Sequence, residues 1–294
     1  MDTAEILKRV RRIEIETGKL VKETFAGEYL SIFKGQGIEF AEVRQYIPGD
    51  DVRSIDWNVS AKTGGVFVKK FNEERELTLL IACDVSASLM FGSLGRLKSE
   101  IATELAAVFA FSATHNNDKV GLLLFSDKIE LYIPPKKGRR HVLRIIRELL
   151  AFTPKSKGTN IALALESINH LIRRSGIVIL ISDFKTELDY SKQFKLTARK
   201  FDVVPVIVED ELEKCLPKAH VFISLEGLES GGQALLNLAS KRRAEIAQKH
   251  IQELDEAKLL FTKSGLEYIK IQDGNKISDI LVKFFKSRAR KLRR

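Results

Sequence analysis

Apolar residues follow two patterns that alternate along most of this chain: continuous runs, and residues spaced three and four positions apart. Four continuous apolar runs are typical of strands buried on both faces of a parallel sheet: LTLLIAC from residue 77, KVGLLLF from 119, GIVILIS from 176 and FDVVPVIV from 201. Apolar residues three and four positions apart predict the helices between them, at 96–113, 141–152, 160–173 and 191–200. This alternation predicts an α/β fold with a Rossmann-like, doubly wound and mostly parallel sheet flanked by helices.

The two ends of the chain have other patterns. Residues 3–24 predict an amphipathic helix. The short β-like pieces EYLSIF, FAEVRQY and VFVKKF follow, with turns at PGDD and TGG. We therefore divide the chain into a small β-rich N-terminal region led by a helix, 1–75, and an α/β domain, 76–294. Near the C-terminus we expect an edge strand at VFISLEG, a polar helix over 234–263, a strand at LEYIKI and a last helix over 277–291.

The bulk composition fits a soluble globular protein. The chain has 294 residues and a formal net charge of +10. No apolar run approaches the roughly 18 residues that span a bilayer, and the N-terminus does not resemble a secretory signal. Cys83 and Cys215 lie far apart, which argues against a disulfide framework or a zinc site. We expect a cytoplasmic protein.

Basic residues concentrate in two places. One cluster has no acid inside it: Lys136, Lys137, Arg139, Arg140, Arg144 and Arg147. The second is the C-terminal stretch KFFKSRARKLRR, from Lys283. Such runs are often solvated helix faces, and they also suit an acidic partner, an anionic lipid surface or nucleic acid.

Oxygen-bearing side chains follow the predicted strands. Asp84, Ser86 and Ser88 come after LTLLIAC, Asp183 comes after GIVILIS, and Thr159 precedes the third helix. Open α/β sheets bind ligands beyond the carboxyl ends of their strands, so these five side chains share one predicted edge. Two carboxylates and three hydroxyls, without thiolate or imidazole, favour Mg²⁺, with Mn²⁺ or Ca²⁺ as alternatives.

Other interpretations of the CDVSASLM stretch stay open. A serine nucleophile needs a positioned base, yet none of the five histidines falls at these strand ends. A phosphoaspartyl enzyme could use Asp84, but Ser86 stands where a second acid is usual. A serine could also simply cap a helix. A cap explains one hydroxyl, whereas three separate segments converge on this edge.

The pattern D-x-S-x-S in CDVSASL, the threonine in KGTNI and the aspartate in ISDF resembles the metal-ion-dependent adhesion site of von Willebrand factor A-type domains. The resemblance covers about 76–294 and implies that the five residues above surround one Mg²⁺-like ion, with no catalytic residue. Many A domains have Asp-Gly at the last position. Here Phe184 follows Asp183, so the local turn is in question.

The stretch GQGIEFAEVRQYIPGDDVRSIDWNVSAKTGG, residues 35–65, is similar to the signature of a bacterial family labelled domain of unknown function fifty-eight. Its charged residues could form a network around Trp57: Arg44, Asp50, Arg53 and Asp56. The resemblance implies a partnership with MoxR-type AAA+ ATPases in assembling or activating other proteins. Many relatives carry N-terminal membrane spans, which this sequence lacks.

Three functions follow from these patterns. We favour a non-enzymatic module that binds a divalent cation and, through it, an acidic group on a client or on a MoxR-type ATPase. A metal-dependent phosphate or ester hydrolase would need a base, for which Asp183 and Asp127 are the candidates. A nucleic-acid or membrane-surface binder would use the two basic stretches.

Overall fold

The structure, a computed structural model, describes residues 3–21, 39–72, 77–93, 95–186, 188–214, 219–226, 233–238, 240 and 242–292. In these residues the helices are α1 Thr3–Leu20, α2 Trp57–Thr63, α3 Lys98–His115, α4 Arg139–Ala151, α5 Ile161–Leu171, α6 Ser191–Lys200, α7 Glu211–Lys214, α8 Arg242–Lys263 and α9 Ile277–Leu292. The strands are β1 Glu39–Gln45, β2 Phe67–Asn72, β3 Thr78–Asp84, β4 Lys119–Phe125, β5 Ile129–Lys136, β6 Ile177–Ser182, β7 Asp202–Glu209, β8 Phe222–Glu226, β9 Gln233–Asn237 and β10 Ile269–Gln272.

Six strands form one sheet in the order β10-β7-β6-β3-β4-β5. Only the pairing of β4 with β5 is antiparallel within this sheet. Numbered along the chain, the order reads 3-2-1-4-5-6 from the β5 edge, which is typical of a doubly wound α/β sheet. The predicted fold class is confirmed. The order reverses between β3 and β6, so the ligand-binding switch point lies between these two strands.

Helices cover both faces of this sheet because successive residues of each strand point to opposite sides. In β3, Leu79, Ile81 and Cys83 face one core, which also takes residues from α1, α3, α4 and α9. Leu80 and Ala82 face the second core, with residues from α5, α6 and α8. Burial on both sides explains why these strands appear in the sequence as unbroken apolar runs.

The chain divides into two compact units, residues 34–76 and residues 1–33 together with 77–294. In the smaller unit, β1 and β2 form an antiparallel pair. Asp56 caps α2 by accepting from the backbone N–H groups of Asn58 and Val59. Gly64 ends this helix at φ +74°, a left-handed conformation that glycine adopts at little cost.

The expected charged network around Trp57 forms only in part. Arg44 makes a two-pronged ion pair with Asp50, at 2.8 and 2.6 Å. Asp56 lies 3.4 Å from Lys69 and does not pair with an arginine among residues 39–72. Trp57 itself is 67% exposed. Asp56 does not join the arginines because its carboxylate caps α2, a role that places it beside two backbone N–H groups.

Two predictions in the C-terminal third are wrong. The VFISLEG stretch does not edge the main sheet; its β8 pairs antiparallel with β9 in a separate hairpin. The polar helix begins at Arg242 and not at 234, because Gln233–Asn237 is strand β9. Pairing with β8 therefore overrides the local helix preference of this segment. The β-like piece EYLSIF lies outside the described residues.

Candidate metal centre

Asp84 and Asp183 lie next to each other at the switch point of the sheet. Cys83 on β3 is paired in register with Ile181 on β6, so Asp84 and Ser182 end their strands side by side. Asp183 is the first residue after β6. Both carboxylates are buried, each residue being 1% exposed. The structure thus brings together two acids that are 99 positions apart in the sequence.

Asp84 is held by neutral donors. Its Oδ1 accepts from the backbone N–H of Ser86 at 2.8 Å, and its Oδ2 accepts from the Ser182 hydroxyl at 2.7 Å. Within the described part of the chain, no lysine or arginine forms an ion pair with it. Burial, and then the charge of Asp183, raise the pKa of Asp84 to about 7. Asp84 is therefore a buried carboxylate that lacks a positively charged partner among the described residues.

The two serines converge as their alternate spacing predicts. The Oγ atoms of Ser86 and Ser88 lie 3.1 Å apart, and the Ser88 hydroxyl is close enough to Asp183 to help lower the pKa of this carboxyl. A short 3-10 turn, Ala87–Met90, follows Ser86. Four of the five predicted ligands, Asp84, Ser86, Ser88 and Asp183, therefore share one cluster of contacts.

Thr159 lies on a loop that is fastened to the same edge. The Ala87 N–H donates to the carbonyl of Lys157 at 3.0 Å. The carbonyl of Thr159 accepts from the Thr186 hydroxyl at 3.3 Å. Thr159 is 7% exposed, and the next residue, Asn160, caps α5 through the N–H of Leu163. The loops that follow β3 and β6 thus both bond to the segment that carries Thr159.

Asp183 has a different environment from Asp84. Its Oδ2 lies 2.8 Å from the Nζ of Lys98, and the Nζ of Lys185 is 3.9 Å away. Burial alone would raise the pKa of Asp183, but the charges of the two lysines outweigh burial and lower it. An ion-paired carboxylate of this kind is a poor general base, which weakens the hydrolase alternative.

The turn after Asp183 has the backbone shape that glycine usually provides. Phe184 has φ +56°, in the left-handed region. Its N–H donates to the Ser182 Oγ at 3.0 Å, and its ring packs edge-on against Phe261 with centroids 4.9 Å apart. The buried aromatic contacts compensate for a conformation that costs a side-chain-bearing residue about 1–2 kcal/mol. The sequence departure at Phe184 therefore leaves the turn intact.

Three charged neighbours of Asp183 did not emerge from the sequence: Lys98, Lys185 and Glu213. A signal existed for Lys98. It stands three and four positions before Ile101 and Ala102, which are buried, so a lysine occupies the apolar stripe of α3. Glu213 belongs to α7, a helix of four residues that carries no periodic pattern.

The donor set fits a divalent cation. All five side chains offer oxygen, the ligand atom that Mg²⁺ and Ca²⁺ prefer. Asp84 is the observation that favours an ion, because its buried charge has only neutral partners. If an ion binds, Asp84, Ser86 and Ser88 would hold it, with Thr159 and Asp183 beside them. The ion would supply a positive centre for an anionic group.

A cavity of about 300 Å³ lies beside Asp84 and Ser86. Ile6 and Arg9 of α1 line one wall, and Leu89 and Phe152 line others. Arg9 pairs with Glu100 of α3, which ties the α1 wall to the domain. The candidate centre therefore has a largely apolar recess next to it.

The basic stretches are partly neutralised within the molecule. Arg139 pairs with Glu14 at 2.6 Å, and Arg147 lies 3.0 Å from Glu148. In α9, Arg288 pairs with Asp202 and Lys291 with Glu267. These pairs reduce the free positive charge that a nucleic-acid or membrane surface would meet.

A family model described as "Protein of unknown function DUF58" matches residues 42–255. The chain belongs to this family. Uncharacterized proteins Mb1516 of Mycobacterium bovis and Rv1480 of Mycobacterium tuberculosis are each 28% identical to it over 233 residues, 79% of this chain and 73% of theirs.

Two solved structures show similarity at low identity. The conserved hypothetical protein BatB from Bacteroides thetaiotaomicron is 16% identical with a TM-score of 0.46, over 73% of this chain and 99% of that chain. The SpRpn10 VWA domain is 11% identical with a TM-score of 0.38, over 70% and 94%. Across the described residues of this family member, no helix has the combination of length and apolar character needed to cross a membrane.

Proposed function

We propose that this DUF58 protein is a non-enzymatic protein-binding module that uses a divalent cation, Mg²⁺ in the first place and Mn²⁺ or Ca²⁺ as alternatives, to bind an acidic group on a partner. The main support for this proposal is the environment of Asp84, a carboxylate that is 1% exposed and bonded only to neutral donors. Burying such a charge is costly unless a cation pairs with it.

The charges around the centre support an anionic partner. Lys98 and Lys185 carry two positive charges beside the two carboxylates of Asp183 and Glu213. This group balances, so Asp84 is the carboxylate left to offset a divalent ion. An ion held there would keep positive charge, and a carboxylate from another molecule would neutralise it.

The neighbouring cavity supports a protein as the source of that carboxylate. Its walls include Ile6, Leu89, Leu97 and Phe152, and its lining also includes Asp84 and Ser86. An apolar side chain close to the acidic residue of a partner could enter it. Apolar recesses with a few polar groups at one end are typical binding sites.

The partner we propose is a MoxR-type AAA+ ATPase, or a client that such an ATPase helps to assemble or activate. The proposal rests on the family resemblance of the 35–65 signature. In this role the chain acts as an adaptor or chaperone-like component.

The test is capture of the cognate MoxR-type ATPase by the full chain, with Mg²⁺ and after EDTA. We expect capture in Mg²⁺, loss in EDTA, and loss with Asp84→Ala at any Mg²⁺ concentration that saturates the wild type. Thr262→Ala, which removes an exposed hydroxyl that bonds only within α8, to the carbonyl of Lys258, is the control and should bind normally. Capture that ignores both EDTA and Asp84→Ala contradicts the metal-dependent function.

A further inference from the structure

Lys98 is a lysine almost completely withdrawn from water. It begins α3, and its side chain is 1% exposed. Lysine is among the residues that are almost never fully buried without a partner, because its ammonium group is strongly hydrated. A lysine in this position therefore has a specific electrostatic role in the fold.

The partners of Lys98 come from the segments that follow two neighbouring strands, β6 and β7. Its Nζ lies 2.8 Å from Asp183 Oδ2, just after β6, and 2.8 Å from Glu213 Oε1, on α7 after β7. Both contacts are charge-assisted hydrogen bonds, which are about twice as strong as neutral ones. The ammonium thus occupies one carboxylate oxygen of the candidate centre.

We infer that Lys98 is a resident cation of the centre: it holds Asp183 as an ammonium partner and thereby limits the centre to weak binding of a divalent ion. The inference rests on the proposed function, since it concerns how tightly the same site holds its metal. Lys98 is a positioning residue, because it acts through Asp183 and is not one of the five oxygen ligands.

Two physical effects of Lys98 both weaken the binding of a divalent ion. The oxygen of Asp183 that bonds Lys98 would have to exchange a charge-assisted bond for a bond to the ion. The positive charge of Lys98 also repels a second cation within the same low-dielectric region. An ion that receives less negative charge from Asp183, because Lys98 already pairs with this carboxylate, stays electron-poor and favours an added carboxylate from a partner.

Lys185 provides a matched control. Its ammonium is 3.9 Å from Asp183 Oδ2, it bonds instead to Glu213 at 2.5 Å, and its side chain is 22% exposed. Removing Lys185 takes away the same formal charge but leaves the Lys98–Asp183 bond. A general loss of positive charge and the specific loss of the resident cation can therefore be distinguished.

The experiment is calorimetric titration of the full chain with Mg²⁺ for the wild type, Lys98→Met, Lys98→Arg and Lys185→Met. We expect Lys98→Met to bind Mg²⁺ about tenfold tighter than the wild type, the scale on which neighbours of metal ligands tune affinity. Lys98→Arg should restore wild-type affinity, and Lys185→Met should change it by less than Lys98→Met. A purely structural role of Lys98 would loosen the centre and weaken binding.

A second variant controls for loss of folding in Lys98→Met. Lys98→Met leaves Asp183 and Glu213 without their shared ammonium group, so the double variant Lys98→Met/Glu213→Gln, which removes one charge of each sign, is titrated beside it. Tighter Mg²⁺ binding by either folded variant supports the inference. Equal or weaker binding in the folded variants, with normal binding in the wild type, overturns the role of Lys98 alone.

The result for the wild type distinguishes the proposed metal-dependent function from the proposed role of Lys98. If it binds no Mg²⁺, the proposed metal-dependent function is wrong. Binding by Lys98→Met in that case would still support Lys98 as the resident cation, one strong enough to exclude the ion. If neither chain binds Mg²⁺, both proposals are wrong.

Discussion

Asp84 and Asp183 end neighbouring strands of one sheet and are equally buried, yet their partners differ. Asp84 has a backbone N–H and the Ser182 hydroxyl. Asp183 has the ammonium group of Lys98 and lies near that of Lys185. Burial raises the pKa of the first to about 7, whereas the lysines lower the pKa of the second.

The two acids therefore serve the molecule in different ways. Asp183 already has its cation, so its charge belongs to the folded structure. Asp84 lacks one, so its charge is a cost to the metal-free fold and a contribution to binding of an ion. Replacing each acid in turn should therefore affect different properties of the protein.

The largest effect on stability should come from Asp183→Asn. The change leaves the buried ammonium of Lys98 with Glu213 as its carboxylate partner, and breaking such a pair costs about 3–5 kcal/mol. Asp84→Asn should leave the metal-free protein as stable as the wild type or more so, since it removes a carboxylate that lacks a cation. Urea unfolding of both variants in EDTA measures this, and equal destabilisation would remove the distinction.

The turn beside Asp183 gives the next effect. Phe184→Ala should destabilise the fold by about 3–5 kcal/mol, because a buried ring is lost while the strained φ remains. Phe184→Gly should be about 1 kcal/mol less harmful than Phe184→Ala, since glycine tolerates positive φ.

At Phe194, which is also buried but lies in α6, the order should reverse, with glycine worse than alanine by about 1 kcal/mol. Thermal unfolding of the four variants compares the two sites. The same order at both positions would show that backbone strain at Phe184 is negligible.

The hydroxyl that joins the two acids should have a smaller effect. Ser182 donates to Asp84 and accepts from the N–H of Phe184, so Ser182→Ala leaves two buried groups without a partner, at a cost of roughly 1–3 kcal/mol. Ser112 is also buried, but its hydroxyl has no hydrogen-bond partner among the described residues. Chemical denaturation should show Ser112→Ala to be near neutral, and a similar loss in both would contradict the linking role of Ser182.

The smallest predicted effect is on the stability of the protein at acid pH. Burial, and then the charge of Lys185, lower the pKa of His250 to about 4. The unfolded chain takes up a proton at His250 below about pH 6.5 and the folded chain resists it, so stability falls as the pH drops from about 6.5 to about 4. His250→Gln should reduce this loss by about 1–2 kcal/mol after allowance for solvent screening. Urea unfolding of the wild type and of His250→Gln across this pH range measures the difference, and equal losses in the two proteins would contradict the role of His250.

Much of the fold could be predicted because buried strands and amphipathic helices have distinct apolar periods. Helix α6, Ser191–Lys200, lies where its spacing placed it. The hairpin strand β9 was mistaken for the start of α8, because its pairing with β8 is a contact that local spacing does not encode. Sheet order likewise appears only in three dimensions, although the switch-point rule anticipated where the acids would lie.

The candidate site was predictable in its hydroxyls and acids but not in its charge balance. The D-x-S-x-S spacing and the strand ends placed Asp84, Ser86 and Ser88 at one edge. Lys98 was absent from that picture, since a lysine at a helix start usually faces water. Only the buried apolar stripe of α3 indicates that this one points inward.

Calorimetric titration of Mg²⁺ into the wild type and into Asp84→Asn shows whether Asp84 is part of a metal centre. We expect one ion to bind per wild-type chain and the affinity to be about 100-fold lower in Asp84→Asn, because the variant loses a buried carboxylate that is bonded to neutral donors. Unfolding in EDTA should confirm that the variant is folded. Equal Mg²⁺ affinity in the two proteins would contradict a metal centre built on Asp84.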